Sequence, residues 1–111
     1  MNAAGAPCRN VGPNSEFTKC FVDENQSADR ELNLMYNRVQ QVLAPDEQGQ
    51  IRAAERLWIQ FRDADCTAER SLYGNGSTAP AVYFACMVAE TRQRTTELKV
   101  MYGWRLEKFG K

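Results

Sequence analysis

Cys66 and Cys86 stand symmetrically about a glycine-rich turn, and that symmetry limits what this chain can fold into. Tyr73-Gly74-Asn75-Gly76-Ser77-Thr78-Ala79-Pro80 reads as a loop, with two glycines, a turn-prone asparagine and hydroxyl residues ahead of a proline. Cys66 lies seven residues before Tyr73, and Cys86 lies seven after Ala79. If the flanking segments are antiparallel helices, both thiols fall at one height, about 10 Å from the loop. A disulfide needs that geometry. Four cysteines permit three connectivities, and symmetry about the loop favours Cys66–Cys86, which leaves Cys8 to pair with Cys20. Each bridge would contribute about 2–4 kcal/mol. The chain has no C-x-x-C and no histidine, so zinc binding and thioredoxin-like redox chemistry find little support. An even cysteine count in a small chain points to the periplasm or the cell exterior.

The segments around the loop read as helices. Ile51, Ala54, Trp58, Phe61, Ala64 and Ala68 recur at helical spacing and predict a buried stripe. The stretch Leu57–Cys66 within it is expected to be the central helix. Ala44-Pro45-Asp46 separates this second helix from a first one, because proline removes a donor and disfavours helical geometry just before it. The first helix should bury Phe17, Cys20 or Phe21, Asp29, Leu32, Tyr36, Val39 and Leu43, with a kink near residues 23–27, where VDENQSAD is polar. Asn14, Ser15 and Thr18 are its candidate caps, and Thr78 is the candidate cap of the third helix. The reading is all-α: a small antiparallel bundle of three main helices, about 15–43, 46–72 and 79–109, with two disulfides. Residues 1–14 form an irregular N-terminal segment tied by Cys8, and residues 15–111 form one helical domain. Gly103 makes the last two turns of the third helix its least secure part.

Charge narrows the function classes. Fourteen basic residues balance fourteen acidic ones, which argues against a charge-driven nucleic-acid or membrane-surface role. The balance is uneven along the chain: four basic against seven acidic residues in 1–50, then ten against seven. Complementary solvated faces of packed helices explain that asymmetry. No apolar run of membrane-spanning length occurs, and the start, MNAAGAP, has neither the basic nor the apolar region of a signal peptide. The chain is therefore expected to be a mature exported form with a start methionine added.

Polar residues on the apolar stripes say more. Asp29, Asn33 and Tyr36 share one face of the first helix, Arg62 and Asp63 follow Phe61, and Thr91, Arg94 and Glu97 lie beside Leu98. An inward charge must be paired, so Arg62 and Arg94 are expected to meet Asp29, Asp63 or Glu97 in a buried network that fixes helix register. Without histidine, and with its cysteines oxidised, the chain lacks the usual nucleophile–base pairs. No catalytic residue, metal ligand or cofactor is therefore expected.

In ADRELNLMY (28–36), AERLWIQFRDADC (54–66), Gly76-Ser77, Cys86 and TRQRTTEL (91–98), the chain resembles the LprI-like family of bacterial envelope proteins. The order and spacing agree over about residues 15–100. The matching positions Asp29, Leu32, Asn33, Tyr36, Trp58, Arg62, Cys66, Ser77, Cys86, Thr91, Arg94 and Glu97 read as scaffold. Glu55, where the family often has glutamine, is expected to matter little on a helix surface. The family takes its name from an inhibitor of lysozyme. The resemblance therefore implies an exported, disulfide-bonded, non-enzymatic binding protein whose partner is a lysozyme or another peptidoglycan hydrolase.

The expected contact is the loop, through Tyr73, Asn75 and Ser77 with the adjacent Arg70. The alternative is a structural or ligand-binding envelope module, with its groove between the first and third helices lined by Tyr36, Arg94 and Met101. Oligomerisation through Met101-Tyr102-Gly103-Trp104 is a third possibility.

Overall fold

The computed structural model describes Cys8 and residues 14–110. Four helices follow in order: α1 (Asn14–Gln41), α2 (Pro45–Ser71), α3 (Ala79–Met101) and α4 (Gly103–Phe109). Consecutive long helices are antiparallel, so α1 and α3 run in the same direction. Phe17, Cys20 and Phe21 of α1 pack with Ala81, Phe84 and Ala85 of α3 at one end, where Cys8 joins them. Leu32, Met35 and Val39 pack with Leu98 and Ile51 at the other. Both α1 and α2 lean chiefly on α3, and their own contact is slight, made by side chains such as Arg62 with Asp29. The result is long and thin, 47 × 25 × 18 Å with a radius of gyration of 16.1 Å, against about 13 Å for a compact chain of this length.

The centre of the fold is α3, not the Leu57–Cys66 stretch. Ten residues of α3 are buried, but only Ile51, Glu55 and Cys66 of α2. Because α3 has a helix on each of two sides, its small and apolar residues occur nearly all round and produce no periodic stripe. On α2 the expected inward stripe is mostly outward: Phe61 is 61% exposed, and Ala54, Ala64 and Ala68 are exposed as well. The side of α2 that meets α3 is Ile51, Glu55, Trp58, Arg62, Cys66 and Glu69. Three of those six are charged, which is why hydropathy alone picked the neighbouring line.

The α1 helix runs without a break through residues 23–27. Asp29 is only half-buried there, and Ala28, Met35 and Val42 are core residues beside Leu32 and Val39. The caps Asn14 and Ser15 have side chains outside the described residues. Thr78 occupies the N-cap of α3 without a side-chain cap bond. At the α1–α2 turn, Gln48 Nε2 donates to the Gln40 and Leu43 carbonyls (2.8 and 3.2 Å), which closes the frayed end of α1. Glu47 Oε1 accepts the Ala44 N–H at 2.8 Å, half of a capping box, because Ala44 has no side-chain acceptor to complete it. The third helix ends sooner than 109. Tyr102 departs from helical geometry (φ −112°, ψ 13°) and α4 begins at Gly103. Arg105 then anchors α4, donating to the Val42 carbonyl (3.0 Å) and to both oxygens of Glu47 (3.1 and 2.9 Å).

Both disulfides form as the spacing predicts, Cys8–Cys20 with Cα atoms 5.7 Å apart and Cys66–Cys86 at 5.5 Å. Cys66–Cys86 holds the end of α2 where that helix buries least. Replacing Cys66 and Cys86 together with serine should lower the unfolding free energy by about 2–4 kcal/mol while leaving far-ultraviolet circular dichroism at low temperature unchanged. Urea titration of the oxidised parent and the double variant measures it.

Candidate functional site

Three surfaces bring together the residues singled out above. The first is a groove of about 440 Å³ between α1 and α2, open because those helices touch each other only lightly. Asp29, Asn33 and Tyr36 line one wall, and Trp58 and Arg62 the other, with Arg52, Arg56 and Ile59 beside them. Arg62 is its hub. The guanidinium donates to Asp63 Oδ1 (3.1 Å) and Thr91 Oγ1 (3.3 Å), stands 3.5 Å from Asp29 Oδ1, and lies over the Trp58 ring at 5.1 Å. One side chain thus ties all three long helices together. The groove lies between the first and second helices rather than the first and third. Arg94 is buried under it, and Met101 is exposed elsewhere.

Behind the groove sits a charge pair that hydropathy concealed. Arg94 Nε donates to Glu55 Oε1 at 2.8 Å, with both side chains about nine-tenths buried, and Arg94 Nη1 reaches Glu97 at 3.3 Å. Glu55 is therefore no bystander on a helix surface, and its carboxylate neutralises a guanidinium in the core. The signal was in its position, four residues after Ile51 and seven before Arg62, on the same side of α2.

The second surface is the loop. Its backbone is closed by successive bonds: Tyr73 N–H to the Arg70 carbonyl (3.0 Å), Gly74 to Ser71 (3.3 Å), Gly76 to Tyr73 (3.0 Å) and Ala79 to Gly76 (3.1 Å). Gly74 adopts φ 57°, a left-handed conformation that costs glycine nothing. Tyr73, Asn75 and Ser77 are all exposed on this turn. Arg70 leans back along α2, its guanidinium 5.7 Å from the Tyr83 ring of α3.

The third surface, which the sequence reading passed over, is a cleft of about 670 Å³ beside Cys66–Cys86, lined by Asp65, Ala68, Glu69, Leu72, Ala89 and Glu90 among others. Glu90 Oε2 lies 3.5 Å from Cys86 Sγ and 3.9 Å from Cys66 Sγ. These sulfurs are bonded to each other, so they bring no proton to the carboxylate and no thiolate to a metal ion. Burial, and then a hydrogen bond with Asp65, push the Glu90 carboxyl up from 4.5 to about 7.

The sequence pattern of the family described as lysozyme inhibitor LprI matches residues 8–98. The chain belongs to this family. The LprI match takes in both disulfides, the groove and the loop. An uncharacterized protein of Rhizobium meliloti (strain 1021) is 31% identical over 105 residues, covering 83% of this chain and 76% of that protein. No solved structure matches. Asp29, Leu32, Asn33, Tyr36, Trp58 and Arg62, all within the matched residues, line one α1–α2 groove.

Two consequences follow for stability. Glu55→Ala removes the buried partner of Arg94, leaving it the half-exposed Glu97, and should cost about 3 kcal/mol, whereas Glu55→Leu combined with Arg94→Leu should recover most of the loss. Chemical denaturation of the three proteins decides this. The folded Glu90 carboxyl titrates above its unfolded value, so the folded chain holds a proton that the unfolded chain releases between pH 4.5 and about 7. Its protonation therefore favours folding at the acid end of that window, and the advantage is lost as pH rises through 7. The melting temperature of the parent should fall across this window, and the fall should be shallower in Glu90→Gln.

Proposed function

We propose that this chain is an exported bacterial protein that binds and blocks a cell-wall hydrolase, either a host lysozyme or a rival's peptidoglycan-degrading toxin. The observation that carries the reading is the LprI match across residues 8–98. Two disulfides with no free cysteine among the described residues support an oxidising compartment. No helix among the described residues is long and apolar enough to cross a membrane.

Inhibition by contact asks for a preorganised projection that enters a cleft built around catalytic carboxylates. The loop between α2 and α3 supplies one. Its backbone is internally hydrogen-bonded, Gly74 removes strain at the sharpest turn, and the Cys66–Cys86 bridge holds its base. Tyr73 offers a ring that is 45% exposed, Asn75 an amide, Ser77 a hydroxyl, and Arg70 a nearby cation for an acidic rim.

A second reading, a non-enzymatic ligand-binding module, draws on the convergence of six matched residues on the α1–α2 groove. In that reading the aromatic wall of Tyr36 and Trp58 and the arginines at 52 and 56 would meet the ligand, and lysozymes would be unaffected.

Titrating several lysozyme types with the oxidised protein, with reduced and alkylated protein as control, separates the two. The inhibitor reading expects stoichiometric inhibition of one type, lost on reduction. Asn75→Ala combined with Ser77→Ala should then weaken inhibition about tenfold or more without lowering the melting temperature. Unchanged inhibition by that double variant would remove the loop from the contact surface.

A further inference from the structure

The groove between α1 and α2 differs from one end to the other. At one end Arg62 stands beside Asp29. The two helices are antiparallel, so moving along α1 from Asp29 to Tyr36 moves back along α2 by a similar length and sets Tyr36 level with residues 52–56. The Arg62 end has spent its polar groups, since that guanidinium is shared among Asp29, Asp63 and Thr91. The Tyr36 end has not. Arg52 and Arg56 line the groove, are exposed, and make no ion pair or hydrogen bond among the described residues. The Tyr36 hydroxyl accepts a bond from Gln40 Nε2 at 2.6 Å, and its own proton has no acceptor among the described residues. Glu55, the carboxylate between the two arginines on α2, is committed to Arg94 in the core. Arg52 and Arg56 stand one turn apart, a like-charge spacing that disfavours a helix until an anion joins them.

We propose that this end of the groove binds an acidic saccharide, a hydroxylated ring carrying one carboxylate. The carboxylate lies between the Arg52 and Arg56 guanidiniums, whose planar forks suit it, and takes the Tyr36 proton. The ring lies toward Trp58, which is half-buried and leaves part of its indole open to the groove. The exposed Asn33 amide, a donor and an acceptor at once, meets the ring hydroxyls. A groove of about 440 Å³ suits a ligand of small-molecule size.

Other occupants fit less well. Both walls are helices whose backbone groups are bonded internally, so a peptide finds no strand edge to extend, and the lining is too polar for the apolar face of a helix. A bare inorganic anion would leave the aromatic wall unused. The proposal rests on the ligand-binding reading of the groove and gives that ligand a chemical class.

Titration of the isotope-labelled, oxidised chain with glucuronic acid and with N-acetylmuramic acid, followed by NMR, tests it. Glucose and N-acetylglucosamine are the neutral counterparts, and the two acids separate a uronic-acid polysaccharide from a cell-wall glycan as the source. The chain has two tryptophans, so one indole signal reports on the groove and the other on α4. At least one acid should shift the Trp58 signal saturably, leave that of Trp104 in place, and bind about tenfold or more tightly than its neutral counterpart. Arg52→Gln combined with Arg56→Gln should erase that preference without lowering the melting temperature, since both side chains are exposed. Tyr36→Phe should weaken the acid about threefold or more. Equal shifts of Trp58 by acid and neutral sugar, or a preference that survives the arginine variant, would overturn the acidic class and leave the groove a ligand site. Benzoate or inorganic phosphate binding as tightly as the acid would overturn the saccharide. A Trp58 signal unmoved by every one of these compounds would overturn the proposal and the groove reading together.

Discussion

Ion pairing along one side of α2 fixes where that helix lies on the rest of the molecule, because it has little apolar surface against α3. Ile51 and Cys66 are its only fully buried apolar residues. Between them the contact with α3 is made by Glu55 on Arg94 and by Arg62 on Thr91, and Arg62 also reaches Asp29 of α1. A buried ion pair adds little net stability over a well-packed apolar pair, but it penalises every register in which either charge lacks its partner. The arrangement therefore sets where α2 sits on α3 more than how tightly. The Cys66–Cys86 bridge then supplies the fastening that a larger apolar contact would otherwise give, and Arg105 on Glu47 closes the opposite end.

This economy leaves surface available. Since α1 and α2 rest chiefly on α3 and touch each other only lightly, a groove stays open between them, and Leu57 and Phe61 on the outer side of α2 stay exposed. The polar groove and the ordered loop are presented by different parts of one thin scaffold.

Some of this was legible in the chain, for identifiable reasons. Gly74, Pro45 and Pro80 act through local backbone geometry, so they marked the turns correctly. The cysteine spacing about the loop carried the pairing, because rise per residue on two antiparallel helices is a local quantity. The Arg62 and Arg94 partnerships followed from the rule that an inward charge needs a counter-charge. Glu55 was missed because its burial comes from the facing helix, not from its neighbours in sequence. The inward line of α2 was misread by one position for the same reason: the more apolar line is not the one that α3 covers.

What the sequence by itself determined is the three long helices, the turns between them, the two bridges and the family, all of which rest on neighbours along the chain or on spacing. Which helix lies at the centre, which side of α2 is buried, and that Asp29, Asn33, Tyr36, Trp58 and Arg62 meet in one groove were decided only by the tertiary structure. Those properties depend on which surfaces oppose each other. A helix buried on two sides, like α3, carries no periodic mark of it, and a charged seam like that of α2 looks like solvent until its partner is in place.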